Sequence, residues 1–174
     1  MKKVLILEGS PRPHGNSSIL SDEFARGAEE AGCSVEKVLV ARKKLSGCLG
    51  CNACYRNGGT CMQRDDMGEL RAKMLEADVI VLASPIYFYF MTAQMKTLID
   101  RTYAFYQQLA GKTFYFLITC AGRERHGSRG HPLLRGHAAG VSNGAKRIRN
   151  RFFPIQLHQK TGRLFGSKRP VFII

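Results

Sequence analysis

Val4-Leu5-Ile6-Leu7-Glu8-Gly9-Ser10-Pro11-Arg12-Pro13-His14-Gly15-Asn16-Ser17-Ser18 is the stretch on which the fold turns. Four consecutive apolar residues closed by a charge and a glycine have the pattern of a strand buried on both faces, as in a parallel sheet. A turn rich in Gly, Pro and Ser comes next, and then a helical period over Ser17 to Ala31. Leu20, Phe24, Ala28 and Ala31 share one face there, and Gly32 is a natural stop. Farther along the chain, Val35 to Val40 reads as a second strand. Asp66 can cap a short helix that lines up Met67, Leu70 and Met74. Val79 to Ala83 is a third buried strand running into Ser84-Pro85. Thr92 to Tyr106 is helical with Met95, Leu98, Ile99, Tyr103 and Tyr106 inward, and Phe114 to Thr119 is a fourth strand. The order β-α-β-loop-α-β-α-β predicts an α/β fold: a doubly wound parallel sheet with helices on both faces, in three α/β/α layers. Ligands of such sheets bind beyond the carboxyl ends of the strands, which singles out residues 8–18, 84–91 and 119–122.

The first of these loops has the composition of an anion cradle. It is neither a Walker loop nor a Gly-x-Gly-x-x-Gly turn. Gly9 and Gly15 let backbone approach closely, Ser10, Ser17 and Ser18 offer hydroxyls, and Arg12 offers charge. The helix behind them adds free amides and the positive end of its dipole. The plainer alternative is a turn in which Asn16 or Ser17 merely caps the helix.

Composition limits the class of protein. With 174 residues, 44% hydrophobic and 23% charged, the chain has the makeup of one ordinary globular domain. No apolar run reaches the roughly 18–20 residues of a membrane span. The four apolar residues before Glu8 are too few for an export signal, so a cytoplasmic location is expected. The net charge of +14 is unevenly placed: residues 1–121 carry net +3 and residues 122–174 net +11, with Glu124 the single acid among 12 Lys and Arg. Periodicity also ends near residue 122. Phe152 to Leu157 and Pro170 to Ile174 are candidate short strands, but no closing helix is evident. Residues 1–121, including a Cys-rich loop over 41–65, therefore read as the domain, and residues 122–174 as an atypical basic segment. Three accounts of that segment stay open: a disordered basic tail for nucleic acid or a membrane surface, an unusual ordered ending, or a garbled sequence.

Two motifs carry a resemblance. Gly9-Ser10-Pro11-Arg12 with Gly15-Asn16-Ser17 resembles the opening of the flavodoxin-like NADPH-dependent FMN reductase superfamily. Ser84-Pro85-Ile86-Tyr87-Phe88, followed by Thr92 to Lys96 and Ile99 to Arg101, resembles that superfamily's second flavin loop and the helix behind it. The resemblance covers residues 1 to about 121 and implies a flavodoxin-like fold, bound FMN and NAD(P)H as a transient reductant. It implies that Ser10, Arg12, Asn16, Ser17 and Ser18 hold the phosphate, and that Pro85, Ile86, Tyr87 and Phe88 line the isoalloxazine and ribityl. Thr119, Cys120, Ala121 and Gly122 would form a third wall. A flat ring system needs edge donors and an apolar face, which these residue types supply. For Tyr87 to Phe90 the alternative is an aromatic core stripe with about half of the rings inward.

Cys48-x2-Cys51-x2-Cys54-x6-Cys61 lies in the long loop after the second strand. Four thiolates can hold a 4Fe-4S cluster or a tetrahedral zinc, and three closely spaced ones favour the cluster; free or redox-active thiols are the third option. The pattern is similar to the compact motif of iron–sulfur flavoproteins, a branch of the same superfamily, with a longer gap before the fourth cysteine. Cys33 and Cys120 read as buried or loop thiols. Asp100-Arg101 reads as a helix ion pair with a packing role, and no His/Asp/Ser arrangement argues for hydrolysis.

The function expected is electron transfer: an NAD(P)H-dependent FMN or quinone reductase, or with the cluster an electron-carrier flavoprotein, with no catalytic side chain of its own. Its partners would be small-molecule or protein electron donors and acceptors, and the resemblance implies a homodimer or homotetramer. Membrane and nucleic acid are not expected partners. The rival is a non-catalytic basic module that uses the fold as a scaffold for nucleic acid or a regulatory partner.

Overall fold

Alternation along the first strand sorts the interior into two halves. The computed structural model of the chain describes residues 1–120, 160–161 and 171–173. In β1 (Lys3–Glu8), Val4 and Ile6 face one side of the sheet and Leu5 and Leu7 the other. Val4 and Ile6 join Val81, Ala83 and Leu117 under α1 (Asn16–Glu30), which contributes Leu20 and, partly buried, Phe24 and Ala28. Leu5 and Leu7 join Ile80 and Leu82 beneath α3 (Met67–Glu76) and α4 (Ala93–Arg101), which bring Met67, Leu70, Met74, Met95 and Leu98. Helices thus cover both faces, as the sequence pattern requires.

β1, β2 (Ser34–Leu39), β3 (Val79–Tyr87) and β5 (Thr113–Thr119) are parallel, in the flavodoxin-like order. With two short strands, β6 (Lys160–Thr161) and β7 (Val171–Ile173), the order across the sheet is β2-β1-β3-β5-β7-β6. The chain leaves β1 toward β2 on one side and reaches β3 on the other, so the crevice lies at the carboxyl ends of β1 and β3. A short α2 (Ala53–Arg56) sits within the cysteine loop. The expected strand over Pro170 to Ile174 is present as β7, but it runs antiparallel to β5 and pairs with β6. The candidate strand over Phe152 to Leu157 lies outside the described residues. Among the described residues, no helix is long and apolar enough to cross a membrane.

Three local expectations are corrected. The helix expected from Thr92 to Tyr106 ends at Arg101. Thr102 there donates its hydroxyl to the Ile99 carbonyl (2.7 Å), and tight turns over Thr102–Ala104 and Tyr106–Leu109 come after it. Tyr103, expected inward, is consequently 43% exposed. Asp66 occupies the N-cap of α3 without capping it: its carboxylate accepts from the Lys44 amide (2.7 Å), while Asp65 accepts from the Met67 amide (3.1 Å). Ala31, expected on the inner face of α1, caps that helix at its C-terminal end, ahead of Gly32 at φ +78°.

Gly9 sets the spacing at the crevice. Its N–H donates to the Ala83 carbonyl (2.8 Å), and its carbonyl accepts from the Thr92 hydroxyl (2.7 Å). A Cβ on Gly9 would lie 2.8 Å from Met95 Cβ and 2.9 Å from Thr92 Oγ1. Gly9→Ala is therefore expected to cost about 1–3 kcal/mol, the range for overpacking a filled site. Gly27→Ala, in α1 with open space at the same test point, should be neutral or stabilise by up to about 1 kcal/mol. Urea denaturation of the two variants separates these outcomes.

Candidate functional site

A cavity of about 610 Å³ opens at the crevice. It is bordered by Ser10, Arg12, Asn16 and Ser17 of the first loop, Pro85, Ile86 and Tyr87 of the second, and Thr119 and Cys120 of the third. The volume is within the usual range for a ligand site, about 300–1,000 Å³. Pro13, His14 and Gly15 border it as well. Their Gly/Pro composition marks a turn, but nothing in the sequence says which turn residues line the cavity. Of the residues expected in the site, Ser18 and Phe88 do not border it, and Ala121 and Gly122 lie outside the described residues.

The first loop is open rather than closed on itself. Ser10 Oγ accepts from the Arg12 amide and donates to the Arg12 carbonyl (both 3.2 Å), and Gly15 N–H donates to the same carbonyl (3.3 Å). These bonds hold a tight turn. No side chain caps α1, whose N-cap is Gly15. The amides of His14, Asn16 and Ser17 take no partner among the described residues, so the positive end of a 15-residue helix faces the cavity with donors unspent. Ser17 Oγ lies 2.9 Å from Thr119 Oγ1, which pins the first loop to the third.

Ser18 is committed elsewhere. It accepts from Lys37 Nζ (3.0 Å), which also donates to Asp22 (2.5 Å) and lies 3.1 Å from the fully buried Glu8 carboxylate. That last contact is an ion pair; among the described residues, neither Glu8 oxygen has a geometrically aligned hydrogen-bond partner. Burial opposes the charge on Lys37, but Asp22 and Glu8 outweigh it and hold the ammonium above its usual range. A cation thus balances the carboxylate beneath the loop.

The second loop is a hairpin in which Ile86 and Tyr87 pair with Met91 and Phe90 of β4 (Phe90–Met91). Its two central residues, Phe88 and Tyr89, have φ of +43° and +73°, a conformation costly for bulky side chains. The aromatic stretch is not a half-buried stripe. Tyr87, Phe88, Tyr89 and Phe90 are 43%, 95%, 42% and 52% exposed, because the hairpin projects from the sheet.

The cysteine loop forms a second site. Cys48, Cys51, Cys54 and Cys61 all border one cavity of about 30 Å³, which Arg101 and Tyr103 also line. No group of three His, Cys, Asp or Glu side chains among the described residues converges as a single metal ion requires. Gly50, between Cys48 and Cys51, borders the same cavity and has open space where a Cβ would sit. All six cysteines are free thiols. At the rim, the hydrogen bond from Tyr103 to Tyr55 (2.8 Å) pushes the Tyr103 phenol up to about 12.

Arg101 ties this loop down. The expected Asp100-Arg101 pair is not formed: Asp100 pairs with Lys96 (2.6 Å), and Arg101 makes a two-pronged contact with Asp65 (2.6 and 3.0 Å) and donates to the Ser46 carbonyl (2.7 Å). Partial burial would push the Asp65 carboxyl up. Arg101 and the Ser46 and Met67 amides more than reverse this and hold it below the usual carboxylate range. A depressed carboxyl stabilises the fold above its unfolded pKa, near 3.9, and that contribution is lost as pH falls through the folded value. Asp65→Asn is expected to cost about 3–5 kcal/mol at pH 7, because it leaves Arg101 buried without its counter-charge. It should also flatten the loss of stability below about pH 4. Thermal unfolding of both chains from pH 7 down to pH 3 checks both effects.

Comparison with known proteins bears on the family and the fold. The profile of the NADPH-dependent FMN reductase family matches residues 2–158. An iron–sulfur flavoprotein of Archaeoglobus fulgidus is 45% identical over 124 residues, 70% of this chain and 56% of that protein. One of Methanocaldococcus jannaschii is 44% identical over 100 residues, 58% of this chain and 51% of that protein. The chain thus spans about half the length of these relatives. Among solved structures, RosB with bound 8-demethyl-8-formylriboflavin-5'-phosphate superposes with a TM-score of 0.59 at 20% identity, over 80% of this chain and 58% of that one. An FMN-dependent NADH-azoreductase of Bacillus anthracis in complex with FMN gives 0.55 at 13% identity, over 74% and 73%. These two show the fold, which is flavodoxin-like. With the family profile covering most of its length, the chain belongs to the NADPH-dependent FMN reductase family.

Proposed function

We propose that the chain is an FMN-dependent electron-transfer oxidoreductase of the NAD(P)H-dependent FMN or quinone reductase type, with a 4Fe-4S cluster on its cysteine loop. The observation that carries the reading is the cavity bordered by three loops, lined by Asn16 and Ser17, whose amides take no partner among the described residues, and by Tyr87. Ser10, Arg12, Asn16 and Ser17 hold the phosphate there; Ser18, bonded to Lys37, supports them from below. Pro85, Ile86 and Tyr87 lie along the ring and ribityl, and Thr119 and Cys120 close the third side. When bound, FMN accepts a hydride from a reduced nicotinamide and passes electrons on singly or in pairs. The chain's own part is to bind, orient and shield; no side chain acts as a nucleophile.

The cluster part is supported by the donor set. Cys48, Cys51, Cys54 and Cys61 all border one cavity, beside the buried Arg101. Bound there, a cluster stores and relays single electrons. Cys48, Cys51, Cys54 and Cys61 would hold it. The proposal places these sites in residues 1–121, with NAD(P)H docking transiently, a small molecule or protein as the other redox partner, a homodimer or homotetramer as the assembly, and the cytoplasm as the location.

The purified full chain is expected to be yellow-brown, with one FMN and about four iron and four sulfide per chain. Arg12→Ala should weaken FMN binding roughly ten- to a hundredfold, the loss of one charge-assisted contact of about 1.5–3 kcal/mol. Riboflavin, which lacks the phosphate, should bind both chains alike. Cys51→Ser should lose iron and keep FMN. A colourless chain that neither takes up FMN nor responds to Arg12→Ala overturns the reading.

A further inference from the structure

Among the described residues Arg101 is the largest fully buried side chain, and it does not border the crevice cavity. Burying a guanidinium is costly unless its donors find acceptors. Nη1 donates to Asp65 Oδ2 and the Ser46 carbonyl, and Nη2 donates to Asp65 Oδ1. Nε is buried with no hydrogen-bond partner among the described residues. The same side chain borders the cavity shared by Cys48, Cys51, Cys54 and Cys61. Asp65 cannot absorb the remaining donor, because its two oxygens already accept from Arg101 and from the Ser46 and Met67 amides. Burial works against the charge of Arg101; Asp65 first and then Cys61 outweigh it and keep the guanidinium above its usual range. A purely structural clamp on Asp65 and Ser46 accounts for both Nη atoms. It accounts neither for the leftover Nε–H nor for the placement of a permanent cation at a wall of thiols.

We propose that Arg101 is a positioning residue of the cysteine cavity, whose fixed charge and unspent N–H raise the reduction potential of an iron–sulfur cluster held by Cys48, Cys51, Cys54 and Cys61. The inference rests on the cluster part of the proposed function. Each electron taken up adds one negative charge to the cavity, and a buried guanidinium stabilises that charge more than the oxidised state. Charge and hydrogen bonds near the sulfurs are the terms through which a protein sets such potentials. Asp65 holds the guanidinium by both Nη atoms, so its plane and its free edge are set before any cluster arrives. Lysine would keep the charge but lose the planar fork.

The test is a redox titration of the full chain loaded with FMN and cluster, using dithionite with mediators and following the reduced cluster by electron paramagnetic resonance. Arg101→Gln is expected to lower the reduced-to-oxidised ratio at a fixed potential about tenfold, a shift of about 59 mV to more negative values for a one-electron couple. Arg101→Lys should recover part of that shift, and it supplies the measurement if the Gln variant does not fold. Iron, sulfide and FMN are counted on the same samples. A purely structural Arg101 would lower the iron content while leaving the potential of the assembled clusters at the wild-type value, and that result overturns the proposal. A wild-type chain that binds FMN but carries no iron or sulfide overturns it too, together with the cluster part of the functional reading, while leaving the flavin part standing.

Discussion

The close approach of Gly9 to Thr92 is the constraint on which the rest depends. Parallel strands bring the ends of β1 and β3 side by side, but the loops leaving them must also be held at a defined spacing. The Thr92 hydroxyl does this with two bonds, donating to the Gly9 carbonyl and accepting from the Met95 amide at the start of α4. One side chain thus joins the first loop, the second loop and the helix behind them. The geometry holds only because residue 9 has no Cβ. Ser84 adds a further tie, accepting from the Thr92 amide. The cavity is the space left once these contacts are made.

α4 connects the two candidate sites. Its N-cap, Thr92, touches the first loop at the crevice cavity, and its last residue, Arg101, holds the cysteine loop through Asp65 and Ser46. Nine residues make a helix roughly 14 Å long. A short strut of this kind, anchored by the buried Met95, Leu98 and Arg101, keeps the two sites at a fixed separation, which a flexible connection between loops would not. The long loop after β2 is mostly exposed, so the buried Arg101–Asp65 pair is a main determinant of where it sits.

The hairpin at Tyr87 to Phe90 shows a different compromise. Two bulky residues stand at positive φ where turns of this kind usually use Gly or Asn, and four aromatic rings are left exposed beside the cavity. Backbone strain of this sort collects where function rather than stability selects the shape. A loop built for stability alone would have carried Asn-Gly at its tip.

Much of this was legible in the residues themselves. A continuous apolar run read as a doubly buried strand, a 3.6-residue period read as a helix and a Gly/Ser/Arg turn between them read as an anion cradle are local physics, and β1, β3, α1 and the first loop come from them. The three loops at the cavity were nameable for the same reason, since position after a parallel strand implies position at the rim; the individual residues expected in the second and third loops came from the family resemblance. The contacts that needed the folded chain are those between residues far apart in sequence. Adjacent side chains on a helix do not face each other, which turns Asp100 outward to Lys96 and Arg101 inward; that the buried guanidinium meets Asp65, 36 residues away, cannot be read without the folded chain. Nor does a Ser-rich turn reveal that Ser17 meets Thr119 while Ser18 is taken by Lys37. Local pattern determined the elements and the chemistry available at their ends. Which donors remained free, and which were spent on the protein, was decided only by packing, because a hydrogen bond depends on distance in space and not on distance along the chain.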